Sequence, residues 1–91
     1  MPLDFLSIVE AVFEISGRGC IIVPSVRTVA SKVRRNDKIL LKTPAGKVLD
    51  THVHELEIAC PGAGVGIELP SGIAKDEIPE GTEIWLNRQG N

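Results

Sequence analysis

IVEAVFEISGRGCIIVPSV, residues Ile8–Val26, holds two β-rich runs on either side of the turn Ser16-Gly17-Arg18-Gly19. In the first run Val9, Ala11, Phe13 and Ile15 alternate with Glu10, Val12 and Glu14. A period of two of this kind gives a strand one wholly apolar face. In the second run Cys20, Ile21, Ile22 and Val23 are apolar on both parities, as in a strand covered on both sides. Two glycines in the turn allow the backbone to reverse tightly, so the stretch reads as a hairpin. Pro24 cannot donate to a ladder, which predicts a bulge or an edge at that point.

Working outward, the sequence predicts strands over Ile8–Ile15, Cys20–Arg27, Lys38–Lys42, Lys47–Ile58, Gly64–Leu69 and Thr82–Asn87. Asn36-Asp37 and Pro44-Ala45-Gly46 punctuate them as turns. In Lys47–Ile58 the apolar parity of Leu49, Thr51 and Val53 slips to that of Leu56 and Ile58, which a bulge near His54-Glu55 accounts for. Ser71–Glu80 is polar, ends near Pro79 and has room for one short helical turn before the last strand. The expected fold is all-β: a small closed six-stranded β-barrel in a single domain. Residues 1–7 form an N-terminal arm, 8–87 the barrel and 88–91 a C-terminal tail.

Composition bounds the function. The 91 residues are 43% hydrophobic and 24% charged, an ordinary globular balance, and aromatics are limited to Phe5, Phe13 and Trp85. Aliphatic side chains must therefore fill the core. No apolar run approaches the roughly 20 residues of a membrane span. The start, MPLDFLSIVEAVF, lacks the basic residues of a secretory signal. Cys20 and Cys60 are too sparse for a disulfide framework, so a cytoplasmic protein is expected. Charge is uneven along the chain: Arg18–Lys47 carries eight Lys/Arg against Asp37 alone, and Val48–Asn91 carries eight Asp/Glu against Lys75 and Arg88. Such asymmetry predicts a polarised surface.

Four pieces of the chain, in order, carry a resemblance: VFEISGRGCIIV (Val12–Val23), VRRNDKILL (Val33–Leu41), GAGVGIEL (Gly62–Leu69) and GIAKDEIPEGTEIWL (Gly72–Leu86). Together they resemble domain 2 of elongation factor Tu and related translational GTPases, a small closed β-barrel. No GxxxxGK[ST] phosphate loop is present, so the resemblance is to the barrel without its GTPase domain. The glutamate and arginine with which the family's barrel helps hold the aminoacyl end of tRNA fall on His54 and Glu57 here. The neighbouring loop is shortened to Cys60–Ala63. The resemblance therefore carries over no tRNA-binding residue. It implies a docking surface.

The basic group Arg27, Lys32, Arg34, Arg35, Lys38 and Lys42 is the main candidate site, because clustered cations neutralise phosphates. It lacks interleaved aromatics, so a single-strand stacking platform is not expected. Trp85, between inward Ile84 and Leu86, should face outward as an interface residue or lie over Ser71–Glu80 as a lid. His52 and His54, with Cys60 or Glu55, form a weak metal candidate without a second pair to complete a tetrahedron. Cys20 sits in a strand read as buried, where a thiol behaves as a small hydrophobe. The chain is thus read as a non-catalytic binding module that needs no cofactor and docks on a protein or ribonucleoprotein. Direct RNA binding through Arg27–Lys47 is the alternative, and a metal- or thiol-dependent enzyme the remote one. DNA and membranes are not expected partners, and a homodimer is allowed by free strand edges.

Overall fold

The computed structural model describes residues 3–17, 19–26, 29, 32–60 and 64–88. Among these, seven strands form one antiparallel sheet: β1 (Leu3–Ile15), β2 (Gly19–Pro24), β3 (Lys38–Lys42), β4 (Val48–His52), β5 (Glu55–Cys60), β6 (Gly64–Glu68) and β7 (Glu83–Asn87). Their order across the sheet is β4-β3-β7-β1-β2-β6-β5. A 3-10 turn, Lys75–Glu77, precedes β7, as expected. No helix among the described residues is long and apolar enough to cross a membrane.

β1 serves two neighbours in succession. Leu3–Ile8 pairs with β7 and Val9–Ile15 with β2, with irregularities between Phe5 and Ser7 and between Val9 and Ala11. The strand begins inside the stretch expected to be an arm, because β7 offers a ladder to Leu3–Ile8. The second irregularity lies opposite Pro24, where the missing donor was expected to disturb pairing. It also overturns the expected inward face of the first run. One extra residue reverses parity, so Val9 is buried and Val12 packs on the core, whereas Phe13 is 46% exposed. β2 is buried on both parities from Cys20 to Val23, as read.

The predicted strand Lys47–Ile58 divides at Val53–His54 into β4 and β5, which stand at opposite ends of the sheet. His52 and Glu55 are only three residues apart, so these ends lie within about 10 Å of each other and the sheet must curl. At the corner the Val53 amide donates to Asp37 (2.9 Å), and the Asn36 amide donates to the Val53 carbonyl (2.7 Å). The His54 amide donates to Glu68 instead (2.9 Å). The corner residues thus bond to β-strands and turns on either side of the gap and not to each other. The expected closed six-strand ring is therefore, as observed, a curled seven-strand ladder with two ends. Asn36 adopts φ +73, the left-handed conformation the Asn36-Asp37 turn requires.

Inside the curl, one aliphatic cluster draws Val9 and Leu6 from β1, Ile22 from β2, Ile39 and Leu41 from β3, Ile67 from β6 and Ile84 and Leu86 from β7. The core has no aromatic member among the described residues. Among the described residues the buried side-chain polar atoms are satisfied: the Thr82 hydroxyl donates to Pro79 O at 2.6 Å, and Ser7 and Ser25 hydroxyls meet at 2.8 Å.

Candidate nucleic-acid interface

The core takes one parity of β7, β3 and β4 and the residues of β1 in register with it, so the other side of these four strands forms an outer face. Register fixes its rows. Phe5, Trp85, Leu40 and Asp50 lie side by side across the four strands; Ile8, Glu83, Lys42 and Val48 form the next row. Phe5 and Trp85 meet edge to face, ring centroids 5.2 Å apart and planes at 70°. The Trp85 Nε1–H donates to Glu83 Oε1 at 3.0 Å, which holds the indole and engages that carboxylate. Phe5 remains 50% exposed. Trp85 had been singled out in the sequence; Phe5 had not, being in the supposed arm.

At the end of this face, a hollow of about 300 Å³ is lined by Lys32, Arg34, Lys38 and Arg88, with Asp37 and Asn87. The turn before β3 supplies Arg34, the first residue of β3 is Lys38, and Arg88 follows β7 directly. Asp37 Oδ2 accepts the Arg34 backbone N–H at 2.8 Å, so the one carboxylate present is tied to its own turn. Arg88 also pairs with Asp4. A neighbouring hollow of about 490 Å³ shares Lys32 and Arg88 and adds Leu3, Asp4, Phe5 and Leu6. Aromatic face and cations are thereby continuous.

The expected basic group divides on folding. Lys32, Arg34 and Lys38 come together; Arg88, isolated in the acidic half of the sequence, joins them only in space. Arg35 points to Glu55, 3.6 Å away in an exposed pair worth little on its own. Lys42 lies at the far end of β3, beside Val48 on the outer face. Arg27 lies outside the described residues. Acids gather elsewhere: Glu10 and Glu14 of β1 join Asp76 and Glu80 around a groove of about 730 Å³ between β1 and the 3-10 turn, with Lys75 as its cation. Lys32, Arg34, Lys38 and Arg88 thus line one hollow, and Glu10, Glu14, Asp76 and Glu80 another.

No family model matches the chain, and no solved structure matches it significantly. Curated proteins do. Over 77 residues the chain is similar to elongation factor 1-alpha. It is 36% identical to that protein of Pyrobaculum aerophilum, 38% to that of Pyrobaculum calidifontis and 35% to that of Pyrobaculum islandicum. Each match covers 80% of this chain and 17% of the relative, so the chain corresponds to a small part of elongation factor 1-alpha. The chain is an all-β domain similar in sequence to that part of elongation factor 1-alpha.

Within this elongation factor 1-alpha-like sheet the remaining candidates are dispersed. His52 is exposed opposite Lys38 on β3, and His54 is exposed at the corner. The Cys60 side chain lies outside the described set. Among the described residues no three His, Cys, Asp or Glu side chains stand close enough to hold a metal ion. Cys20 is fully buried, and its Sγ–H donates a hydrogen bond to the Ile73 carbonyl at 3.3 Å. Burial pushes this thiol's pKa up, and the nearby Glu14 and Glu77 carboxylates add to the effect. That setting favours the neutral, unreactive form.

Proposed function

We propose that this chain is a non-catalytic docking domain that seats on the RNA of a ribonucleoprotein, with phosphates over the hollow of Lys32, Arg34, Lys38 and Arg88. The observation that carries the reading is the meeting of Lys32, Arg34 and Lys38, neighbours in sequence, with the distant Arg88 on one concavity. A solvated charge run has no reason to gather a distant Arg88. Cations so placed neutralise adjacent phosphates and release their counterions, which is the main source of sequence-independent RNA affinity. Likeness to elongation factor 1-alpha supports a translation-factor setting. On this reading the curled sheet is a barrel of the translation-factor domain 2 type, and the domain works in the cytoplasm.

The test is charge reversal. Arg34 contributes its backbone N–H, not its side chain, to the Asp37 turn, so Lys32→Glu/Arg34→Glu should fold normally. Binding of a fluorescein-labelled oligouridine is followed by anisotropy at low salt. The wild-type chain is expected to bind and the double variant to lose at least about tenfold in affinity, since each site then repels a phosphate. Equal binding by both chains, or none by the wild type, overturns the proposal. Capture of a protein that is insensitive to ribonuclease and to the double substitution would transfer the docking role to a protein partner.

A further inference from the structure

We infer that the outer face of β1, β7 and β3 is a stacking platform for unpaired bases of single-stranded RNA, with Phe5 and Trp85 as its rings. This rests on the RNA reading above and names the kind of RNA. The first ground is register. Phe5, Trp85 and Leu40 occupy one row across three adjacent strands, on the parity that the core does not use. The rings do nothing for the aliphatic interior, and Phe5 leaves half of its surface in water. An edge-to-face pair consumes the face of one ring only, so the other keeps a face for a base. Aromatic faces stack on any base, which makes such a platform tolerant of sequence and selective for unpaired strands.

The second ground is charge. Lys38 and Lys42 bracket Leu40 on the same parity of β3, about 13 Å apart by strand geometry. Phe5 itself lines a hollow with Lys32 and Arg88, so a backbone lying over the cations brings its bases to the rings. Three acids border this face, and one of them, Asp4, is paired with a cation. Glu83 accepts the indole N–H, Asp4 pairs with Arg88, and Asp50 stands at the β4 edge opposite Leu40. A duplex would satisfy the cations but present no free base to the rings.

Trp85 is the sole tryptophan of the chain, so its fluorescence reports the platform directly. The full chain is titrated at low salt with an oligoadenosine, with an RNA duplex of the same length, and with an abasic ribose-phosphate oligomer. Anisotropy of each labelled RNA is read in parallel. Quenching that saturates with binding is expected for the oligoadenosine alone. Phe5→Leu, which removes a ring at an exposed site, should weaken oligoadenosine binding at least about fivefold and leave duplex binding unchanged. Oligoadenosine binding without quenching, or unaffected by Phe5→Leu, overturns the platform and leaves the phosphate hollow standing. Failure of every RNA to bind removes both.

Discussion

Replacing Gly19 with alanine is expected to destabilise the domain far more than the same change at Gly17, two residues away in the same turn. A Cβ at Gly19 would lie 2.9 Å from the Leu69 carbonyl oxygen and 3.2 Å from that of Pro70. Both are backbone atoms, and the Leu69 amide is itself bonded to Cys20 O at 2.8 Å, so neither can withdraw without loosening the approach of β6's exit to β2. The φ of +158° adds a conformation that L-residues rarely adopt. Overpacking costs about 1–3 kcal/mol, and backbone strain about 1–3 kcal/mol more. At Gly17, φ is +78° with open space around the added methyl, which leaves only the left-handed penalty of about 1–2 kcal/mol. Both substitutions remove the same flexibility from the unfolded chain, so that contribution cancels in the comparison. Urea unfolding of the two variants measures the difference, with Gly19→Ala expected to fall about 1–4 kcal/mol below Gly17→Ala at an unchanged m-value. Equal midpoints would refute the close approach of β2 to the end of β6.

Two further outcomes follow from titratable groups. Glu77 Oε2 accepts the Ala74 backbone N–H at 2.8 Å, which, with Lys47 nearby, holds its carboxyl below the usual range. The folded state therefore favours the ionised form; its contribution is present above the unfolded value near pH 4.3 and is lost as pH falls through the folded value. Acid unfolding of Glu77→Gln should show a shallower dependence over that window than the wild type, and parallel curves would contradict the assignment. Cys20, buried and with a raised pKa, should resist iodoacetamide in the native state and react once urea unfolds the chain. Peptide mapping that finds rapid native labelling at Cys20 would refute its burial.

Local pattern revealed what depends on local chemistry. The hairpin, the buried β2, the disturbance at Pro24, the Asn36 turn and the short helical turn were all legible, because each follows from neighbouring residue types. Parity across a bulge was not. Val9 and Phe13 look equivalent in an alternating run, and only pairing with Pro24 decides that one goes in and the other out. The division of Lys47–Ile58 was visible as a slip of phase, but its consequence was not, since the two halves go to opposite ends of the sheet. The site was half legible. Lys32, Arg34 and Lys38 are close in sequence; Arg88 and Phe5 reach them through β7 and β1, long-range pairings with no local signature. The absence of interleaved aromatics describes sequence neighbours alone; strand pairing sets Phe5 and Trp85 in one row with Leu40, between Lys38 and Lys42 on β3.

The account stands most directly on the slope of log affinity for single-stranded RNA against log salt. Four cations over one phosphate path predict a slope of about −2.8, or about a 50-fold loss of affinity between about 50 and 200 mM salt. With Lys32→Glu/Arg34→Glu the slope should shrink to about −1.4 or less in magnitude. A flat salt dependence, or the same slope in both chains, would contradict the claim that folding gathers these side chains to meet a phosphate backbone.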